Sequence, residues 1–267
     1  MNATSGVTDL SLKIKNGIIN ADNISVPHGF TTRTGGVSEG IFSSMNIAMH
    51  RGDSTENVAK NYEILVERIG FDLKKLVLTR QTHSDIVRKV TKGDARGLDH
   101  QNYPESDALI TNDAGCALVV FTADCTPILL WDSVNGAVGA VHAGWRGTAS
   151  DIAGKTVRAM VSEFGCNPAN IRAAIGPNIG VCCFETDRDV PDAIIEAFGR
   201  EVEAFIRKTG EKYHVDLKEI NALALRRAGV KNIEISADCT MCNPELFWSH
   251  RLTGAERGSQ GAVIVCI

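Results

Sequence analysis

Apolar and polar positions along the chain follow two alternating periods. Val58, Tyr62, Leu65 and Ile69 fall on one face at helical spacing, with Ser54 placed to cap and Gly70 to stop, which predicts a helix from Thr55 to Ile69. Short apolar runs bounded by Gly, Asn and Asp turn signals follow at Leu76 to Leu78, Ala108 to Ile110, Ala117 to Phe121, Ile128 to Trp131 and Ala137 to Val141, and read as strands. A second helix is predicted from Ala149 to Phe164, just after the turn Ala143 to Gly147. Two more are expected near Asp192 to Lys208 and Leu217 to Ala228, with strands at Ile171 to Ala174, Ile233 to Ile235 and Ala262 to Val265. Strands and helices mixed in this way predict an α/β or α+β fold with a layered sheet core. Neither a repeat nor a Pro- or Ser-rich linker interrupts the pattern, so residues 1–267 are read as a single domain, with 1–25 a peripheral N-terminal strand segment.

Composition narrows the function classes. With 43% hydrophobic and 22% charged residues, the chain is neither disordered nor a disulfide scaffold. Its 28 basic and 32 acidic residues leave no excess positive field, so no nucleic acid or membrane partner is expected. Eight cysteines without a repeating framework fit a reducing, cytoplasmic compartment. Met1 to Leu10 lacks the charged and apolar regions of a secretory signal, and nowhere do 18 apolar residues run together.

Three segments place a metal-capable side chain at the end of a strand-like run: Thr79 to Asp85 with His83, Phe121 to Pro127 with Cys125, and Val141 to Gly147 with His142. Two imidazoles and a thiolate suit zinc, and three protein ligands leave a fourth position for water or substrate. The separations of 42 and 17 residues exceed those of a local zinc knuckle, so the fold would have to assemble such a site. The same three side chains also allow a nucleophilic Cys125 thiolate activated by His142 or His83, without metal. The glycine-bracketed turn Gly144 to Gly147 leads into a helix, where backbone N–H groups and Arg146 could hold an anion. Near the N-terminus, Arg33 and Asn46 lie in a polar, glycine-containing loop and could orient phosphate or sugar hydroxyls, although a hairpin loop would look the same.

The remaining thiols are harder to place. Cys239 and Cys242 form a C-x2-C pair and Cys182 and Cys183 are adjacent. The four could in principle close a structural zinc site, but with no second C-x2-C and two adjacent sulfurs making awkward ligands, they are read mainly as loop and core thiols. Phe247 to Arg251 sets an aromatic pair beside cationic groups that could stack on an aromatic ligand.

Taken together, Arg33-Thr34-Gly35-Gly36-Val37-Ser38, Ser44-Met45-Asn46, Gly52-Asp53, Asn61, Gln81-Thr82-His83, Asp107-Ala108-Leu109, Ala123-Asp124-Cys125-Thr126-Pro127, His142-Ala143-Gly144-Trp145-Arg146-Gly147, Ile175-Gly176-Pro177 and Cys182-Cys183-Phe184-Glu185 resemble the YfiH/YlmD/LACC1 family. Its members were first described as laccase-like polyphenol oxidoreductases and later as purine nucleoside phosphorylases. The resemblance spans Phe30 to Arg251 and implies a single-domain α/β/β/α-type sandwich. It implies phosphorolysis of adenosine, inosine and S-methyl-5'-thioadenosine, with an accompanying adenosine deaminase activity. It also implies a metal, zinc with copper as the alternative, on His83, Cys125 and His142. Substrate and phosphate contacts are then expected from Arg33, Asn46, Gln81 and Arg146, in a monomer or homodimer. The stretch Gly254 to Gln260 departs from the family's usual Thr-Gly-Arg ending.

Both activities set requirements. Deamination needs an activated water and a carboxyl group to move protons; Asp124, beside Cys125, is favoured over Asp85. Phosphorolysis needs an anion cradle and an electrophile near the leaving base. The rival readings are a copper-dependent polyphenol oxidoreductase and a metal-free cysteine hydrolase. Seven histidines and no H-x-H pair argue against a multicopper oxidase.

Overall fold

The computed structural model describes residues 7–10 and 14–267. Four short strands come first, β1 (Val7–Leu10), β2 (Ile14–Lys15), β3 (Ile18–Ile19) and β4 (His28–Thr31), followed by α1 (Thr55–Ile69). Then come β5 (Leu76–Leu78), β6 (Val87–Lys89), β7 (Ala108–Thr111), β8 (Ala117–Thr122), β9 (Thr126–Asp132) and β10 (Val138–Ala143). The second half runs through α2 (Trp145–Ala149), α3 (Ile152–Phe164), β11 (Ile171–Ile175), β12 (Glu185–Thr186), α4 (Asp189–Phe198), β13 (Ile206–Thr209) and β14 (Lys212–Val215). It closes with α5 (Leu217–Arg227), β15 (Asn232–Ser236), α6 (His250–Thr253) and β16 (Gln260–Val265).

Two large sheets stack face to face. One has the order β1-β15-β11-β9-β10-β7-β6 and the other β2-β3-β4-β16-β8-β5, while β12-β14-β13 form a small separate sheet. Alternation along the strands assigns the layers. Leu129 joins the core shared with the second sheet, whereas its neighbours Ile128 and Leu130 join the core that also holds Ile152, Val157 and Met160 of α3 and Ile220 of α5. In β8, the consecutive Leu118, Val119 and Val120 all belong to the first core, together with Val58, Tyr62 and Leu65 of α1. Both faces of that sheet are therefore covered, one by the larger sheet and one by α1. The result is the predicted α/β/β/α sandwich.

Most elements lie where the pattern places them. In α1, Ser54 Oγ accepts from Asn57 N at 3.1 Å and Gly70 takes the left-handed conformation at φ 88° that ends a helix. Two predicted helices need correction. The one expected over Ala149 to Phe164 is broken: α2 already starts at Trp145, and Asp151, left-handed at φ 56°, starts α3 by capping Gly154 N at 3.2 Å. The one expected over Asp192 to Lys208 begins at Asp189 and stops at Phe198, because Gly199 at φ 80° and ψ 178° turns the chain into a 3-10 segment and then into β13. Within residues 1–25, β1 lies on the edge of the larger sheet parallel to β15, and β2 and β3 belong to the other sheet, with Ile18 and Ile19 buried. Residues 1–6 and 11–13 lie outside the described residues. No helix among the described residues is long and apolar enough to cross a membrane.

Candidate metal centre and active-site cleft

The three candidate ligands meet at one end of the sandwich, where the chain passes between the two sheets. Strand β8 belongs to one sheet and β9 to the other, so Ala123, Asp124 and Cys125 are the crossing. His83 follows β5 on the first sheet, and His142 is within β10 on the second, paired with Pro127 two residues beyond Cys125. The ligand atoms of His83, Cys125 and His142 all lie within 4.8 Å of one another. Cys125 Sγ is 3.8 Å from His83 Nε2, and the two imidazoles stand 5.0 Å apart at 79°. A tetrahedral zinc with ordinary bond lengths would hold sulfur and nitrogen about 3.6 Å apart, so this donor set fits such an ion with little movement.

Local backbone explains why the three converge. His83 and Asp124 both have positive φ, 59° and 85°, and each marks a sharp turn that aims a side chain across the gap. Gly144 is glycine for packing reasons: a Cβ there would lie 2.8 Å from the His83 ring and 3.3 Å from Cys125 Sγ.

Asp107, quoted above within a family motif but given no role there, organises the centre. Asp107, fully buried, accepts from Thr82 N, His83 N and Ser84 N at 3.2, 3.1 and 2.7 Å, from Ser84 Oγ at 2.6 Å and from His142 Nδ1 at 2.7 Å. Burial opposes its charge, but His142 and Ser84 overcome this and bring its carboxyl down to about 2. With Nδ1 held by Asp107, Nε2 is the nitrogen of His142 left to take a metal in place of its proton, the arrangement that metal-binding histidines commonly use. Burial likewise opposes ionisation of Cys125, yet the facing His142 and His83 bring its thiol down to about 6. His142 is raised to about 9, since Cys125 and Asp107 outweigh the cost of its burial.

Above this centre lies a partly open cleft whose floor is formed by His83, Cys125 and His142. Arg51, His100, Phe121 and Arg257 form much of its wall. His100 and Phe121 rings lie 5.5 Å apart. Burial, and then the nearby His50, hold His100 below the ordinary imidazole value, and its Nδ1 has no partner among the described residues. Arg257 is only 7% exposed, its Nη1 donates to the neutral Gly258 O and Ser259 Oγ, and its Nε–H is unpartnered among the described residues. Burial and the neighbouring Arg51 push its guanidinium down to about 10. Arg257 belongs to the stretch that departs from the family's usual ending, and nothing in its local pattern distinguishes it from the other arginines.

The other expected contacts sit elsewhere. Gln81 lines the cleft, but its amide is committed to Phe121, donating to the carbonyl at 2.8 Å and accepting from the N–H at 2.7 Å. Asn46 is buried and bonded to Ala48 and to Ser259 N at 2.9 Å, which ties down the Arg257 segment. Arg33 donates to Ser43 O and Pro244 O and stacks on Trp248 at 3.9 Å. Arg146 is exposed and folded over Trp145 at 4.2 Å. None of these three lines the cleft. Asp124 turns away from Cys125, its carboxylate accepting from Thr240 Oγ1 and Arg251 N, both at 2.6 Å. Asp85 pairs with Lys155. No Asp or Glu among the described residues lines the cleft.

Comparison with known proteins places this geometry. A family model described as multi-copper polyphenol oxidoreductase laccase matches residues 27–267. Purine nucleoside phosphorylase YlmD of Geobacillus stearothermophilus is 40% identical over 246 residues, 90% of this chain and 88% of its own. A purine nucleoside phosphorylase of Bacteroides thetaiotaomicron is 36% identical over 243 residues, 88% of this chain and 89% of its own. The crystal structure of YlmD from Geobacillus stearothermophilus superposes with a TM-score of 0.88 at 36% identity, covering 97% of this chain and 99% of that one. The chain belongs to the YfiH/YlmD family, the one described as multi-copper polyphenol oxidoreductase laccase.

Proposed function

We propose that the protein is a purine nucleoside phosphorylase whose phosphate is held by Arg51 and Arg257 above a zinc site on His83, Cys125 and His142. The observation that carries this reading is Arg257. Arg257 is buried, bonds neutral oxygens through Nη1 and lines the cleft beside Arg51 with no described carboxylate in that lining, a pairing of two cations that suits an anion. The names of the relatives supply the substrate class, a purine nucleoside and phosphate.

In phosphorolysis a phosphate oxygen forms a bond to C1' of the ribose as the C1'–N9 bond breaks, and the purine leaves with a proton. Arg51 and Arg257 would hold the phosphate and balance its charge. Phe121 and His100 offer an aromatic wall for the base, with the unpartnered His100 Nδ1 within that wall. Asp107 fixes the His142 ring, and Gln81 fixes Phe121. A bound zinc would act as a Lewis acid on the substrate and lower the pKa of water. Adenosine, inosine and S-methyl-5'-thioadenosine are the nucleosides this reading takes. Deamination of adenosine ranks second, because Asp124 and Asp85 are both committed outside the cleft.

Initial rates with varied phosphate test the reading. Arg257→Lys loses the planar charge-assisted contact, about 1.5–3 kcal/mol, so the KM for phosphate is expected to rise by about 10-fold to 100-fold, with the KM for adenosine nearly unchanged. Arg51→Gln, at an exposed position, is expected to act the same way and is free of packing effects. An unchanged phosphate KM in both variants would remove the cradle.

A further inference from the structure

Four thiols outside the cleft meet at one point. The sulfurs of Cys182, Cys183, Cys239 and Cys242 all lie within 4.8 Å of one another, and all four are free. Cys242 Sγ is 3.6 Å from Cys182 Sγ and 3.4 Å from Cys183 Sγ. Sulfurs on a tetrahedral zinc at ordinary bond length stand about 3.8 Å apart, whereas a disulfide needs about 2.0 Å. We propose that Cys182, Cys183, Cys239 and Cys242 form a tetrathiolate zinc site, separate from the centre at His83, Cys125 and His142.

The topology builds this cluster. Strands β11 and β15 are parallel neighbours, and the two loops that leave them carry the two cysteine pairs. An isolated parallel bridge between Asn178 and Cys239 extends that pairing into the loops. Adjacent cysteines can ligate together here because their backbone is wound into a turn, with Cys183 N and Phe184 N both donating to Gly180 O at 2.9 Å. The C-x2-C pair lies in a second turn, closed by Asn243 N to Cys239 O at 3.2 Å. Gly180 N donates to Cys239 Sγ at 3.2 Å, a bond that favours a thiolate. A Cβ on Gly180 would press within 3.2 Å of Cys182 Sγ and within 3.5 Å of Cys239 Sγ, so the glycine keeps the space the sulfurs occupy.

Charge is also provided for. Zinc displaces the four thiol protons and leaves a site of net charge −2. Lys218 is buried and lines the same cavity as Cys182 and Cys239, its ammonium held by Ser236 O and Asp238 O at 2.6 Å each. The site would also brace the cleft from behind. Thr240, between the two ligands of the C-x2-C pair, donates to Asp124, and Asp124 shapes the turn that presents Cys125.

Metal analysis of the purified full-length protein tests the proposal without any activity assay. Two zinc equivalents per chain are expected in the wild type, one in Cys125→Ala, and one in Cys182→Ser and in Cys242→Ser. With cobalt substituted for zinc, the intense thiolate-to-metal charge-transfer band is expected to persist in Cys125→Ala and to collapse in Cys182→Ser. Should the serine variants fail to fold, titration of native wild type is decisive: four thiols should stay protected and react only as a zinc equivalent is released. A metal count unaltered by Cys182→Ser and Cys242→Ser, or four cluster thiols reacting freely in metal-replete protein, would overturn it. A cystine linking two of them in peptide maps would do the same.

Discussion

A single carboxylate, Asp107, receives hydrogen bonds from three consecutive backbone amides, one hydroxyl and one imidazole. It touches no cleft volume, yet it sets both the His83 loop and the His142 ring. Asp107→Asn would point an amide N–H₂ at groups that are themselves donors. Metal affinity in chelator competition is therefore expected to fall about 10-fold to 100-fold, and an unchanged affinity would show that the ring is positioned by something else. The grouping of His83, Cys125 and His142 was legible chiefly through the family resemblance, since a His or Cys at a strand end is by itself a common feature. The role of Asp107 was not, since one Asp before a strand resembles many others, and what it does depends on which loops the fold brings to it. Arg51, His100 and Arg257 were hidden for the same reason. Arg33, Asn46 and Arg146 stood in conspicuous glycine-containing loops, but those loops are held together by the very side chains that looked available for substrate.

Among the elements, α1 was the most legible, because its buried face, its capping serine and its terminal glycine agree. Its polar link to the cleft was not legible. Asn61, fully buried on α1, accepts from Val37 N at 2.9 Å and donates to Asn46 O at 2.7 Å and to Ser38 Oγ at 2.9 Å. Asn46 in turn holds Ser259, two residues from Arg257. Asn61→Ala would leave buried backbone groups unpaired, at a cost of about 2–4 kcal/mol. Thermal unfolding is expected to shift down by roughly 5–15 °C for a chain of this size, and a shift under about 1 °C would contradict the assignment. The two misread helices failed at points where backbone conformation overrides periodicity. Asp151 and Gly199 break apolar patterns that would otherwise continue, and a positive φ is not visible in hydrophobic spacing. The short strands β12 to β14 carry too few residues to show a period of two.

At the level of the whole molecule, the sandwich places its candidate metal centre where the chain crosses from one sheet to the other, so side chains from both sheets can converge there only once the layers have stacked. The layered class was legible from the mixture of strands and helices, whereas the crossing at Cys125 was not, because sheet membership is not encoded locally. The account depends on that crossing being the seat of phosphorolysis. The most direct test incubates adenosine with and without phosphate, using wild type and Cys125→Ala, and resolves adenine, inosine, hypoxanthine and ribose 1-phosphate. The account predicts equal amounts of adenine and ribose 1-phosphate from wild type only when phosphate is present, and a loss of about 100-fold or more in Cys125→Ala. Wild-type turnover by Cys125→Ala, or adenosine left intact by the wild type in the presence of phosphate, would contradict it.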